Sequence, residues 1–119
     1  MQTAPQETTP YPEVNRILID LHNRVTAILG DQMVGMYLYG SLATGGFEPS
    51  RSDIDFVVIT QDHLPQPVIE SLETMHLELA HAGKWYKKLE GAHVPLSVIR
   101  RHGPNQPPVP TINEAKFYM

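Results

Sequence analysis

The chain has 119 residues, of which 41% are hydrophobic, enough for one ordinary domain with a modest core and too few for two. Thirteen acidic residues against nine basic ones give a formal charge of -4, which offers no general cationic surface for a polyanion, so polymeric nucleic acid is not the expected partner. The absence of cysteine excludes disulfides, thiol nucleophiles and zinc thiolate sites.

Residues 1–11 are polar, with neither the basic nor the apolar region of a signal peptide, and read as a flexible N-terminus. No apolar run approaches the length of a membrane span, so the expectation is a protein of the cytoplasm with no membrane partner. From Pro12 to Gly30, Val14, Ile17, Leu18, Leu21, Val25 and Ile28 recur at three- and four-residue spacing. That spacing predicts an amphipathic helix with proline in its first turn and Gly30 as its stop. Met33 to Tyr39 and Ile54 to Thr60 are short apolar runs and predict buried strands. The stretch between them, Gly40 to Asp53, is dense in Gly, Ser, Thr and Pro and predicts a functional loop or a short helix.

A second helical face, Val68, Ile69, Leu72, Met75, Leu79 and Ala80, opens near Pro67 and stops at Gly83. Leu89 to Ile99 reads as a third strand, made an edge or bulged strand by Pro95. Residues 12–101 thus form the expected domain, and the proline-rich 102–119 reads as a tail or linker, with the last residues, Lys116 to Met119, lacking an element to pack against. The order helix, strand, loop, strand, helix, strand defines a small α/β (α+β) fold with a mixed sheet covered by helices.

Asp53 and Asp55 lie two residues apart at the start of a strand, where alternation puts both side chains on one face. Two close carboxylates repel unless a cation neutralises them, and their hard oxygens suit magnesium; the alternative is an acidic turn at the surface. Gly40-Ser41 directly follows a strand, so backbone N–H groups and a hydroxyl would face a phosphate, unless they form only a glycine turn with a serine cap. The two strands would then deliver two halves of one site.

The run YGSLATGGFEPSRSDIDFVV, Tyr39 to Val58, resembles the signature of the nucleotidyltransferase superfamily that includes polymerase β. It is most similar to the adenylyltransferases that act on the aminoglycosides streptomycin and spectinomycin, with Gly45-Gly46 and Pro49 adding to the likeness and a loop one residue longer at Ser50-Arg51. The resemblance implies MgATP as donor, Ser41 near the phosphates and Asp53 and Asp55 as metal ligands. It also implies a third carboxylate on a later strand, and Leu89-Glu90 stands where that family carries its Leu-Glu. Glu90 is therefore the candidate base for an acceptor hydroxyl, the alternative being an exposed loop glutamate. Arg51 is a candidate phosphate contact or a solvated arginine. Those enzymes continue into a helical domain that builds much of the acceptor pocket, which this sequence lacks, so a missing C-terminal partner or a homodimer would complete the site. The expected acceptor is a small hydroxylated molecule. Two other readings remain open, a minimal antitoxin-like nucleotidyltransferase that modifies or binds a protein partner, and an inactive nucleotide-binding module.

His22, His63, His76, His81, His93 and His102 show no metal-ligand spacing and read as surface histidines or as support for a site. Trp85 and Tyr86 read as packing at the domain edge or as a platform for a base or ring. Lys87, Lys88, Arg100 and Arg101 read as surface charge.

Overall fold

The computed structural model describes residues 2–3, 9–40, 46–48, 52–99, 109–113 and 116–118. Helix α1 (Pro12–Leu29) begins with proline in its first turn and ends at Gly30, and buries Val14, Ile17, Leu18, Leu21, Val25 and Leu29 along one stripe. A short turn leads into β2 (Met33–Leu38), which pairs on one side with the two-residue strand β1 (Gln2–Thr3). On its other side β2 pairs antiparallel with β3 (Ile54–Thr60). Helix α2 (Gln66–Ala80) crosses back over the sheet to β4 (Leu89–Pro95), which runs parallel to β3.

Burial alternates strictly along β4, and on β3 from Ile54 through Val58. Ile54, Phe56 and Val58 of β3 join Leu89 of β4 and Met36 and Leu38 of β2 in one core with the apolar stripes of α1 and α2. The residues between them, Tyr37, Asp55, Val57, Glu90 and Ala92, are only half-buried. Both long helices therefore cover the same face of the sheet, and among the described residues no helix covers the other, the open face. Gly91 belongs to the packed face: a Cβ there would strike the Phe56 carbonyl and come within 2.7 Å of its ring. Only glycine lets β4 approach β3 beside that ring.

Three parts differ from the sequence reading. The third strand stops at Pro95, and Leu96–Ile99 form a short helical turn, α3. Proline has no N–H to continue a ladder, so the pairing ends with Thr60 opposite Pro95. Strand β4 is also not at the edge, because β5 (Thr111–Asn113) pairs antiparallel with Gly91 and Ala92, and β6 (Lys116–Tyr118) pairs with β5. Lys116 to Tyr118 thus do find a partner: among the described residues the sheet has six strands in the order β1-β2-β3-β4-β5-β6, and Phe117 packs against the core. Strand β1 likewise draws part of the N-terminal segment, expected to be flexible, into the sheet.

Two histidines, read from the sequence as surface residues or as support for a site, are core residues. His76 on α2 and His93 on β4 are 2% and 1% exposed. Trp85 and Tyr86 are partly buried and pack against the core, and the Tyr86 hydroxyl donates to Asp20 of α1 at 3.0 Å.

Candidate metal centre on the open sheet face

The parallel register places Asp55 of β3 directly beside Glu90 of β4, both on the open face. Asp53 precedes β3 by one residue and lies two positions before Asp55, on the same side of the chain. One carboxylate oxygen from each of Asp53, Asp55 and Glu90 lies within 4.8 Å of the others. Asp53 is exposed, and Asp55 and Glu90 are half-buried. The alignment of two carboxylates 35 positions apart in sequence is a product of the crossover through α2, which returns the chain as a parallel neighbour with residue 90 level with residue 55.

The electrostatics of the cluster match its geometry. Partial burial, and secondarily the charge of Asp53, hold the Asp55 carboxyl above the ordinary aspartate range. Burial and then the charges of Asp55 and Glu90 likewise raise the Tyr39 phenol. Extending the β2–β3 register by one residue sets Tyr39 opposite Asp55, and the Tyr39 N–H donates to the Asp55 carbonyl at 3.2 Å. An all-oxygen donor set of concentrated negative charge is the chemistry that a hard divalent cation satisfies.

Gly40 closes the site on the β2 side. Its φ is 67°, in the left-handed region, and a Cβ there would run into the Asp55 carboxylate. The backbone of the glycine turn thus lies against the acidic group, an approach that no residue with a side chain permits. The loop after Gly40 is anchored where it is described: Phe47 is buried in the core, its ring 4.9 Å from that of Tyr11, and its carbonyl accepts the Tyr11 hydroxyl at 3.3 Å. Glu48 and Ser52 then bond reciprocally, the Ser52 N–H to the Glu48 carbonyl at 2.8 Å and the Glu48 N–H to the Ser52 hydroxyl at 2.9 Å. That turn delivers the chain to Asp53. Lys88 reaches the same place, with its ammonium 3.5 Å from the Ser52 carbonyl and 5.6 Å from the centre of the Trp85 ring.

Of the residues singled out in the sequence, the fold thus brings together Gly40, Asp53, Asp55 and Glu90. Ser41 and Arg51 lie outside the described residues, as do Arg100, Arg101 and His102. Residues that the sequence reading passed over stand in line with the cluster. Asn113 of β5 falls beside Glu90 when the β4–β5 register is extended by one, and Lys116 of β6 pairs with Asn113. The open face therefore carries a polar row, Tyr39, Asp55, Glu90, Asn113, Lys116, across five strands. The sequence gives no signal for its far end, because strands of three residues are too short to show alternation.

A groove of about 530 Å³ between α1 and α2, lined in part by Arg24, Ile28, Glu70, Met75 and Glu78, belongs to the helical layer and contains none of the cluster. Among the described residues no helix is long and apolar enough to cross a membrane.

A glycine turn against an acidic triad, on the uncovered face of a small mixed sheet, defines a domain built for metal-assisted chemistry on phosphates. A family model for the nucleotidyltransferase domain matches residues 22–115, and the chain belongs to that family. No curated protein matches the chain.

Proposed function

We propose that this domain transfers AMP from ATP to a hydroxyl of a small acceptor, with magnesium as its metal. The observation that carries the proposal is the convergence of Asp53, Asp55 and Glu90 within 4.8 Å beside the Gly40 turn. Asp53 and Asp55 hold the metal, and magnesium, when bound, neutralises charge on the triphosphate and polarises its α-phosphate. Gly40 lets the turn's backbone lie against the Asp55 carboxylate, and Gly40, Ser41 and Arg51 are the contacts to the phosphate oxygens in this reading. Glu90 accepts the proton of the acceptor hydroxyl as the oxygen forms its bond to the α-phosphorus. The bond between the α-phosphorus and the bridging oxygen breaks, and pyrophosphate leaves. Catalysis of this kind rests chiefly on positioning and electrostatics, which suits side chains held on adjacent, fully paired strands.

With the nucleotide on the β2–β3 side, the acceptor comes to Glu90 from the β5–β6 side, past Asn113 and Lys116. The resemblance to aminoglycoside adenylyltransferases supports an aminoglycoside as that acceptor. The open sheet face leaves room for the further acceptor-binding element, a C-terminal helical domain or a second copy of the chain. A cytoplasmic setting, where MgATP is supplied, fits the same reading.

The test is titration calorimetry of the purified chain with a non-hydrolysable ATP analogue, with and without magnesium, on the wild type and Asp53→Ala. Binding that requires both magnesium and Asp53 is the expected result. Binding indifferent to either one sinks the proposal, because the triad would then not be the nucleotide site.

A further inference from the structure

Behind the open face, in the core, His76 and His93 meet ring to ring. Their Nε2 atoms are 3.1 Å apart, and the ring centroids are 5.1 Å apart. The His93 Nδ1 lies 2.9 Å from the Pro110 carbonyl. A carbonyl only accepts, so His93 carries its proton on Nδ1 and donates it to Pro110. Its Nε2 is then bare and accepts the Nε2–H of His76. The geometry fixes one proton arrangement, His76 to His93 to Pro110, in which the His93 Nε2 must carry no proton.

This relay is tied to the C-terminal strands. Pro110 immediately precedes β5, and its carbonyl also accepts the His93 N–H at 3.0 Å. Phe117 of β6 stacks on His76 at 5.9 Å and lies 6.4 Å from His93, while Phe56 of β3 flanks the pair on the sheet side at 6.0 and 6.3 Å. Strand β5 is otherwise held to β4 through Gly91 and Ala92. Much of what joins the C-terminal hairpin to the domain therefore passes through the two imidazoles.

We infer that the His76–His93 pair is an acid-sensitive latch: neutral, it clamps β5 and β6 onto the core, and protonated, it releases them and opens the far end of the polar row beside Glu90. A proton added at the shared nitrogen sets two N–H groups against each other and breaks the relay. A proton added at the His76 Nδ1, the other open nitrogen, keeps that hydrogen bond but leaves a buried cation. Among the described residues no carboxylate faces the pair to compensate it. From β3 come Phe56, Ile54 and Val58, from β4 Leu89 and Gly91, from β5 Ile112 and from β6 Phe117, all apolar. Asp55, Glu90 and Lys116 belong to the opposite face of their strands, and Glu73 and Glu78 of α2 are exposed to solvent.

Burial, and then the charge of His93, lowers His76 from 6.5 to about 3. Burial lowers His93 to about 4, against an opposing contribution from the Pro110 carbonyl. For a group whose folded value is depressed, stability is complete above the unfolded value and falls as pH drops towards the folded one. The latch thus holds above pH 6.5 and weakens through the window from 6.5 down to about 4 and 3.

Amide hydrogen exchange on the full chain between pH 8 and pH 5, corrected for intrinsic rates, tests this. Thr111 to Asn113 and Lys116 to Tyr118 are expected to open about tenfold or more at pH 5, while β2 and β3 amides stay protected. Uniform protection across the pH range, or loss of protection by every strand together, overturns the latch. His76→Phe keeps a ring stacked on Phe117 without a titrating nitrogen and is expected to halve the pH dependence of hairpin opening. Should that variant not fold, imidazole nitrogen shifts in the wild type decide: both rings neutral at pH 5 with the hairpin closed, and cationic rings only in the opened form. Cationic rings in the closed form overturn the inference. The outcome is independent of nucleotide binding, which none of these measurements uses.

Discussion

Gly40 combines a left-handed φ with no space for a Cβ, so alanine there carries two penalties. The backbone strain costs about 1–2 kcal/mol, and the methyl group displaces the Asp55 carboxylate. Gly40→Ala is expected to fold with an unchanged circular dichroism spectrum and to lose at least about tenfold in magnesium-dependent nucleotide affinity, since one misplaced ligand costs about 1.4 kcal/mol or more. Full affinity in that variant would show that the turn does not border the site. Asp55 offers a test by pH. Its carboxyl is held above the ordinary range, so its contribution to folding without metal is favourable below its unfolded value and lost as pH rises through the folded one. Asp55→Asn removes that neutral-pH repulsion. It is expected to leave the thermal midpoint without metal equal or higher, and to erase the rise in midpoint that magnesium gives the wild type. Both can be read by differential scanning calorimetry. The aspartates and Gly40 were legible in the sequence because strand alternation and a glycine after an apolar run have few structural outcomes. Asn113 and Lys116 were not, since only the register of neighbouring strands assigns them to the open face. The burial of His76 and His93 was hidden because a histidine on an apolar helical stripe reads the same whether or not a second one faces it.

At the level of elements, β3 is the hub, pairing with β2 and β4, carrying Asp55 on one face and Phe56 on the other. Phe56 is fully buried and touches Gly91 and both core histidines. Phe56→Ala is expected to cost about 3–5 kcal/mol, a large part of a domain's usual stability, and to lower the urea midpoint accordingly. A loss under about 1 kcal/mol would mean that the sheet is not built around this ring. The helices α1 and α2, of eighteen and fifteen residues, follow from periodicity because each is long enough to repeat its pattern, and β2 and β3, of six and seven, follow from their apolar runs. Strands β5 and β6 do not, being three residues each and adjacent to a proline-rich stretch that reads as linker. Their pairing comes from tertiary contacts, namely Ile112 against Gly91 and Phe117 against the histidines, which local sequence does not encode.

For the molecule as a whole, both long helices of the described residues cover one face of the sheet and the acidic row lies on the other, which separates stability from chemistry. The core is closed from the helical side, and the acidic row lies on the side where packing does not constrain it. Because the acidic cluster is assembled only where β3 and β4 pair, a cation bound there is held by the folded state only. Magnesium at about one hundred times its dissociation constant is expected to add about 2.7 kcal/mol to unfolding, seen as a rise in thermal midpoint that chelator reverses. No shift at any concentration would mean that the triad is not a metal centre. Finally, the sheet order is the same as the chain order, from β1 to β6. A nascent chain emerging from its N-terminus can therefore add each of these strands to the growing edge, and none has to be wedged between two already joined. The three carboxylates are all present once residue 90 has been made, whereas Asn113 and Lys116, past which the acceptor is proposed to come, follow later, so a growing chain gains its acidic cluster before the flank of the proposed acceptor path.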